Sequence, residues 1–115
     1  MEKDNLIQRK SFEFALSIID LYKKLINQNE FIISKQLLRS ATSIGANIEE
    51  AIGGQSRKDF IHKLAVAAKE ARETRYWLKL LDQGKLSDAN CAPYLDEIDE
   101  IIAVLTKIIK TTASR

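Results

Sequence analysis

Residues 60–81 read FIHKLAVAAKEARETRYWLKLL, and within them Phe60, Leu64, Ala67, Ala71, Thr74, Leu78 and Leu81 alternate steps of four and three for three heptads. Such spacing returns side chains to one face of an α-helix, whereas a strand turns its side chains over at every second residue. A helix is therefore predicted here. Ser56 is placed to cap it, and Asp59, three residues on, sets a carboxylate in the first turn, where the helix dipole favours negative charge. Gly84 is expected to end it.

Working outward, Gly53-Gly54 separates this helix from an earlier one in which Leu37, Ala41, Ile44 and Ile48 repeat the same rhythm, with Ser34 as the expected N-cap. Before that, from about Gln8 to Gln28, Phe14, Ile18, Leu21 and Leu25 define a first helix, flanked by Phe12, Ala15, Ile19, Tyr22 and Ile26 and closed by Asn27-Gln28-Asn29. Phe31 to Ile33 leads across the next loop. Beyond Gly84, Ser87 is expected to open a fourth helix along Leu95, Ile98, Ile102, Leu105 and Ile109, with Pro93 bending or delaying its first turn. Four helices of similar length joined by loops of a few residues must each turn back on the last. The predicted fold is all-α, an antiparallel up-down-up-down four-helix bundle forming one domain over residues 1–115. A parallel dimeric coiled coil is the structural alternative, but the glycines interrupt any continuous seam.

Composition agrees. The chain has 115 residues, 45% hydrophobic and 30% charged, with one proline and four glycines, too few turn formers for a fold of many short strands. No apolar run approaches the ~20 residues that span a bilayer. Met1 to Lys10 alternates charge with Leu6 and Ile7 and has no secretory signal pattern, so a cytoplasmic location without membrane association is expected. Cys91 is the only cysteine, which leaves no intrachain disulfide and no cysteine-rich zinc site.

A bundle helix needs one apolar stripe about 100° wide. The third helix carries a second row, Ile61, Ala65 and Ala68, ahead of Tyr76 and Trp77, and the fourth is apolar at Ile101 and Ile108 besides its core row. In the second helix Ala41, Gly45 and Ala46 permit close backbone approach. Surplus apolar surface marks an interface, and the simplest partner is an identical chain, so Ile61, Ala65, Ala68, Trp77, Ile101 and Ile108 are assigned to a homo-oligomer contact. The alternative is that these residues widen a single core.

Charge is unevenly spread. Between Ser34 and Lys85 ten cations face six acids, while the fourth helix opens with Asp88, Asp96, Glu97, Asp99 and Glu100. Arg72, Arg75 and Lys79 share one face of the third helix at i, i+3 and i+7, and with Lys35 and Arg39 they are the candidate nucleic-acid-binding residues. Tyr76 or Trp77 beside them is a candidate for stacking on bases. Against this stands a solvated face, or salt bridges to the acidic fourth helix of the same or the next subunit. Ser43, Asn47 and Glu50 form a polar row on the second helix, read as structural hydrogen bonding ahead of recognition. Catalytic chemistry finds little support. His62, the sole histidine, follows Asp59 at half of a di-iron spacing without the other half, Cys91 has no partner base, and Gly53-Gly54 lacks the Lys-Ser/Thr of a phosphate loop. No enzyme activity, metal, cofactor or small-molecule substrate is expected.

The run Arg39-Ser40-Ala41-Thr42-Ser43-Ile44-Gly45-Ala46-Asn47-Ile48-Glu49-Glu50-Ala51, then Lys58-Asp59-Phe60 and the segment Glu73 to Leu78, resembles the four-helix bundle family named for proteins encoded in intervening sequences of bacterial 23S ribosomal RNA genes. The resemblance covers nearly the whole chain and makes Ser43, Asn47, Glu50, Asp59 and Phe60 its signature. It implies a cytoplasmic bacterial homopentamer, five bundles around a central channel, without enzyme activity. A related branch, the accessory variability proteins of diversity-generating retroelements, has the same bundle and pentamer and works with a reverse transcriptase and nucleic acid. The resulting expectation is a homopentameric scaffold that binds RNA or a nucleic-acid-binding protein through its basic face. The alternative is a protein-protein adaptor that touches no nucleic acid.

Overall fold

The computed structural model describes residues 2–115, with side chains from Leu6 onward. Met1 and the side chains at positions 2–5, part of the charged N-terminal opening, lie outside the described residues. Four helices make up the chain: α1 (Glu2–Asn27), α2 (Ile33–Ile52), α3 (Arg57–Gly84) and α4 (Ala92–Ala113). They pack into a rod of 47 × 20 × 20 Å in which α1 touches α2 and α4, α3 touches α2 and α4, and neither diagonal pair meets among the described residues.

The core is built from the predicted rows. Phe14, Ile18, Leu21 and Leu25 of α1, Leu37, Ala41, Ile44 and Ile48 of α2, and Leu64, Ala67, Ala71, Thr74, Leu78 and Leu81 of α3 are all buried. Helix α1 begins earlier than Gln8 because Ile7 and Ser11 extend its buried row by two further steps. In α4 the register differs from the expected one. Ile98 and Leu105 are buried as predicted, but Ile101 and Ile108 complete the row, leaving Leu95, Ile102 and Ile109 half-buried. Both rows obey the same alternation of three and four, so the doublets Ile101-Ile102 and Ile108-Ile109 carry no register information of their own.

Caps explain the ends. Asn29 adopts a left-handed conformation (φ 66°), and the amides of Asn29 and Glu30 donate to the carbonyls of Ile26 and Leu25, which satisfies the last turn of α1. The Glu30 carboxylate then accepts from the amides of Ile33 and Ser34 at 2.9 and 2.6 Å, so Glu30 caps α2 in place of the expected Ser34, whose hydroxyl donates back to the Glu30 carbonyl. Ser56 caps α3 as predicted, its side chain accepting from the Asp59 amide at 3.1 Å. Ser87 does not open α4. Its hydroxyl accepts from the Ala89 amide inside an irregular stretch, and α4 starts at Ala92 with Pro93 in the first turn, where the missing N–H costs nothing. Gln28 clamps that stretch by donating to the Asp88 carboxylate at 2.6 Å while accepting from the Asp88 amide at 3.2 Å.

A buried polar contact crosses the seam between α2 and α3. Ser40 and Thr74 hydroxyls lie 2.8 Å apart between α2 and α3, and each also reaches a carbonyl of its own helix, Leu37 or Glu70. No buried side-chain nitrogen or oxygen among the described residues lacks a partner.

At the C-terminal end of α3 the left-handed position falls on Lys85 (φ 54°) rather than on Gly84. An L-residue with a Cβ pays for that conformation where glycine does not. Lys85→Gly should therefore raise the unfolding free energy by about 0.5–1 kcal/mol, offset only in part by the greater freedom of the unfolded chain. Urea titration showing a lower midpoint at unchanged slope would contradict this.

Candidate functional site

The expected basic face is divided by its partners. Arg39 reaches across from α2 to α3, pairing with Glu70 at 3.4 Å and more closely with Glu73. These carboxylates, the hydrogen bond to Glu73 first, hold the Arg39 guanidinium even more firmly protonated than usual. Glu73 also accepts from Trp77 Nε1 at 3.0 Å, and that bond, with Arg39, keeps its carboxyl below the ordinary carboxylate range. Arg75 pairs with Asp99 of α4 at 2.8 Å, the salt bridge to the acidic fourth helix weighed against nucleic-acid binding. Arg72, Lys79 and Lys35 are exposed and make no ion pair among the described residues. Three of the five candidate cations thus remain open to solvent, Arg72 and Lys79 on α3 and Lys35 on α2.

The polar row on α2 is local structure. Asn47 donates to the Ser43 carbonyl at 2.8 Å, one turn back, and Glu50 accepts from Lys63 of α3 at 2.8 Å. Asp59 is exposed and Phe60 half-buried against the core. His62 is exposed, and no group of three or more His, Cys, Asp or Glu side chains is placed to hold a metal among the described residues. Cys91 is buried, and burial, reinforced by Asp82, pushes its thiol above its ordinary range.

The residues assigned to an oligomer contact separate into two sets. Ala68, Ile101 and Ile108 are buried within one protomer and belong to its core, which corrects their assignment. Their burial follows from the α4 register and from the position of Ala68 on the side of α3 turned to its neighbours. Ile61 and Trp77 are half-buried and Ala65 is exposed. The large exposed apolar residues lie elsewhere. Phe12 (64% exposed) and Leu16 (50%) stand one turn apart on α1, Tyr76 (56%) and Leu80 (36%) one turn apart on α3, and Phe31, Ile32 and Leu86 lie near one end. Tyr76 meets Trp77 edge to face at 5.2 Å. Phe12 was visible beside the first apolar row. Its exposure was not, because a wide stripe does not say where the core stops.

Each exposed pair is framed by charge at a seven-residue interval. Glu13 and Asp20 lie along the outer side of α1 around Leu16, interleaved with Arg9 and Lys23, and Arg72 and Lys79 lie along the outer side of α3 around Tyr76, all six exposed. Two turns of helix put about 10 Å between members of each pair.

A family model for 23S rRNA-intervening sequence proteins matches residues 3–107. The chain belongs to that family. A solved structure of a protein of unknown function from the S23 ribosomal protein family, from Bacteroides thetaiotaomicron VPI-5482, is similar at 52% identity and a TM-score of 0.90, over 94% of this chain and 98% of the other. No protein of curated function matches significantly. Of the residues that carried the resemblance, Asn47 and Glu50 use their side chains in hydrogen bonds, Ser43 and Asp59 contribute a backbone carbonyl and a backbone amide, and Phe60 packs on the core. No helix among the described residues is long and apolar enough to cross a membrane.

One carboxylate is held against its preference. Glu97 of α4 is half-buried in a small recess with Glu100, Glu13 and Lys10. Burial first and the Glu100 charge second raise its carboxyl above the ordinary range, opposed by Lys10, which itself pairs with Glu100 at 3.2 Å. A carboxyl whose pKa is raised by folding weakens the fold where it is ionised and ceases to do so as pH falls through the folded value. Glu97→Gln should accordingly melt a few degrees higher at pH 7, with the advantage shrinking as pH falls through the raised folded value and gone once pH is below the ordinary glutamate range. Thermal scans at both pH values check this, and a lower melting point for the variant at pH 7 would contradict it.

Proposed function

We propose that this protein is a non-enzymatic, self-assembling scaffold of the cytoplasm, an antiparallel up-down-up-down bundle whose copies join side to side through the outer strips of α1 and α3. The observation that carries the reading is the match between those strips. Phe12 and Leu16 on one side and Tyr76 and Leu80 on the other pair apolar with apolar, and Glu13 and Asp20, interleaved with Arg9 and Lys23, bring two acids to Arg72 and Lys79 at the same seven-residue spacing. Helices α1 and α3 do not touch, so the strips look outward on opposite flanks of the rod. A surface that must meet a different surface on the next copy propagates head to tail and closes into a ring when the rotation permits. The homopentamer implied by the family resemblance is such a ring.

In this assembly Arg72 and Lys79 serve the contact between copies, and Arg39 and Arg75 are already paired within one. The scaffold's working partner is then a protein, and Lys35 alone of the five candidate cations is left for phosphates. The second reading, RNA binding through the basic face, rests on Arg72, Lys79 and Lys35 being exposed and unpaired in the single chain.

Light scattering should give the wild type a mass five times that of the 13.1 kDa chain. Phe12→Glu or Leu80→Glu should run as a monomer with an unchanged helical spectrum. Reversing one strip (Glu13→Lys with Asp20→Lys, or Arg72→Glu with Lys79→Glu) should weaken assembly, and combining both reversals should restore it. A wild type that is monomeric at micromolar concentrations would overturn the proposal. Titration with single- and double-stranded RNA separates the two readings, because phosphate contacts make log affinity fall steeply with log salt. A salt-sensitive complex lost on removal of Arg72 and Lys79 charge would favour the RNA reading, and a flat response the scaffold.

A further inference from the structure

The end of the rod that holds the α1–α2 turn and the α3–α4 connection carries apolar residues that the fold does not use. Phe31 and Ile32 keep 59% and 77% of their surface exposed, and Leu86 keeps 47%. Ile32 stands at the N-cap position of α2 yet makes no capping bond, because the Glu30 carboxylate takes the amides of Ile33 and Ser34. Connections of this kind are ordinarily built from Gly, Pro, Asn, Asp and Ser. Side chains exposed to this degree stand out from the end rather than lining a groove. We infer that this tip docks on the surface of an anionic lipid bilayer, with Phe31, Ile32 and Leu86 entering the headgroup layer and the neighbouring lysines lying against the lipid anions.

The tip is rigid, and its outward charge is positive. Gln28 donates to the Asp88 carboxylate at 2.6 Å and accepts from the Asp88 amide at 3.2 Å, which ties the Phe31–Ile32 turn to the connection that carries Leu86. Asn29 and Lys85, one in each connection, are the non-glycine residues with left-handed backbone among the described residues. At Lys85 glycine would cost less, and strain retained at an exposed position points to a use for the lysine. In the two connections and the helical turns that adjoin them the cations are Lys24, Lys35 and Lys85, all exposed and without an ion pair among the described residues. The acids there are Glu30, Asp82 and Asp88, of which only Asp88 is exposed, while the Glu30 carboxylate is engaged by the α2 amides. Three outward ammonium groups against one outward carboxylate complement an anionic surface. The same balance disfavours a second copy meeting tip to tip, which would set lysines against lysines. Nucleic acid shares the charge of such a surface, but its phosphate backbone gains nothing from Phe31 and Ile32. Protruding apolar side chains bordered by lysines, whose stems follow apolar surface while their heads reach the headgroups, suit a bilayer interface. Lack of a membrane-crossing helix among the described residues bears on spanning a bilayer, and lying against one needs no such helix. A single tip makes a weak, reversible contact. Side-by-side assembly into a ring would set every tip on one face, so the strength of docking rests on that reading while docking itself does not.

The test uses the full chain and vesicles of phosphatidylserine and phosphatidylcholine mixed about 1:2, with bound protein read by flotation. Binding is expected there and should be at least about tenfold weaker on phosphatidylcholine alone. Phe31→Ser with Ile32→Ser should weaken it at least about tenfold, and Lys24→Gln with Lys35→Gln about tenfold. Lys107→Gln with Lys110→Gln, toward the other end of the rod, should leave it unchanged. Phe31→Trp fluorescence should move to the blue on the same vesicles beyond any change from Trp77 in the wild type, a response that a purely electrostatic contact does not give. All the substituted residues are exposed, so the variants should fold, and an unchanged helical spectrum verifies that. Phe12→Glu should bind more weakly than the wild type and still lose that binding with Phe31 and Ile32. If it instead binds as the wild type does but stays dependent on Phe31 and Ile32, assembly fails and docking stands. The inference is overturned by no binding to the mixed vesicles, by equal binding to phosphatidylcholine alone, by tip variants that bind like the wild type, by loss on changing Lys107 and Lys110, or by a soluble protein held at Phe31 and Ile32 while vesicles are not bound.

Discussion

Closure of the apolar core is the constraint on which the rest of the molecule depends. Each helix contributes one row, and the four rows seal so completely that Phe14, Ile18, Leu21, Leu37, Ile44, Leu78, Ile98 and Leu105 retain no accessible surface. A sealed core has no further use for apolar residues, so those outside it are surplus by definition. Phe12, Leu16, Tyr76 and Leu80 are costly to leave in water, at roughly 25 cal/mol for every Å² of apolar surface that contact would cover. Were the core open along one seam, the same residues would be explained as its missing wall.

Small and polar residues on α2 set how the rows meet. Ser40 faces Thr74 of α3, and Gly45 faces Ser11 of α1, where an added Cβ would stand 3.5 Å from the serine hydroxyl. That distance is ordinary contact, so Gly45 permits the approach without being strictly demanded by it. The Ser40–Thr74 pair is more exacting. Sliding α2 one turn along α3 would part the two hydroxyls, and since each keeps the carbonyl of its own helix, the slide loses one interhelical hydrogen bond, about 0.5–1.5 kcal/mol. Apolar rows with a period of seven tolerate such a slide, and the hydroxyl pair does not. The Arg39 contact with Glu70 and Glu73 holds the same register from the surface, though exposed pairs of this kind each contribute only about 0.2–1 kcal/mol.

Helix number, the α1 to α3 rows and the Ser56 cap were legible in the sequence because each rests on a local signal, a period or a capping residue. The α4 register was not. Paired isoleucines at 101–102 and 108–109 fit two rows equally, and only packing against α1 and α3 selects Ile101 and Ile108. Ser34 and Ser87 had the composition of caps, yet Glu30 reached the α2 amides first and Pro93 delayed α4 past the second serine. The charge pattern of the candidate face could be counted, but its pairing could not. Arg39 meets carboxylates more than thirty positions away and Arg75 meets Asp99 on another helix, contacts that no spacing rule specifies. What fell outside the reading is therefore the part that depends on which helices are neighbours.

Neighbour relations also separate the sides of the rod from its ends. On the sides, cations sit within reach of carboxylates, either in the same chain or, on the proposed assembly, in the next, and charge is largely matched. At the end holding the α2–α3 turn, Arg57 at the start of α3 donates to the backbone oxygen of Arg115, which follows α4, and ties those two elements together. Lateral association covers flanks and leaves ends open.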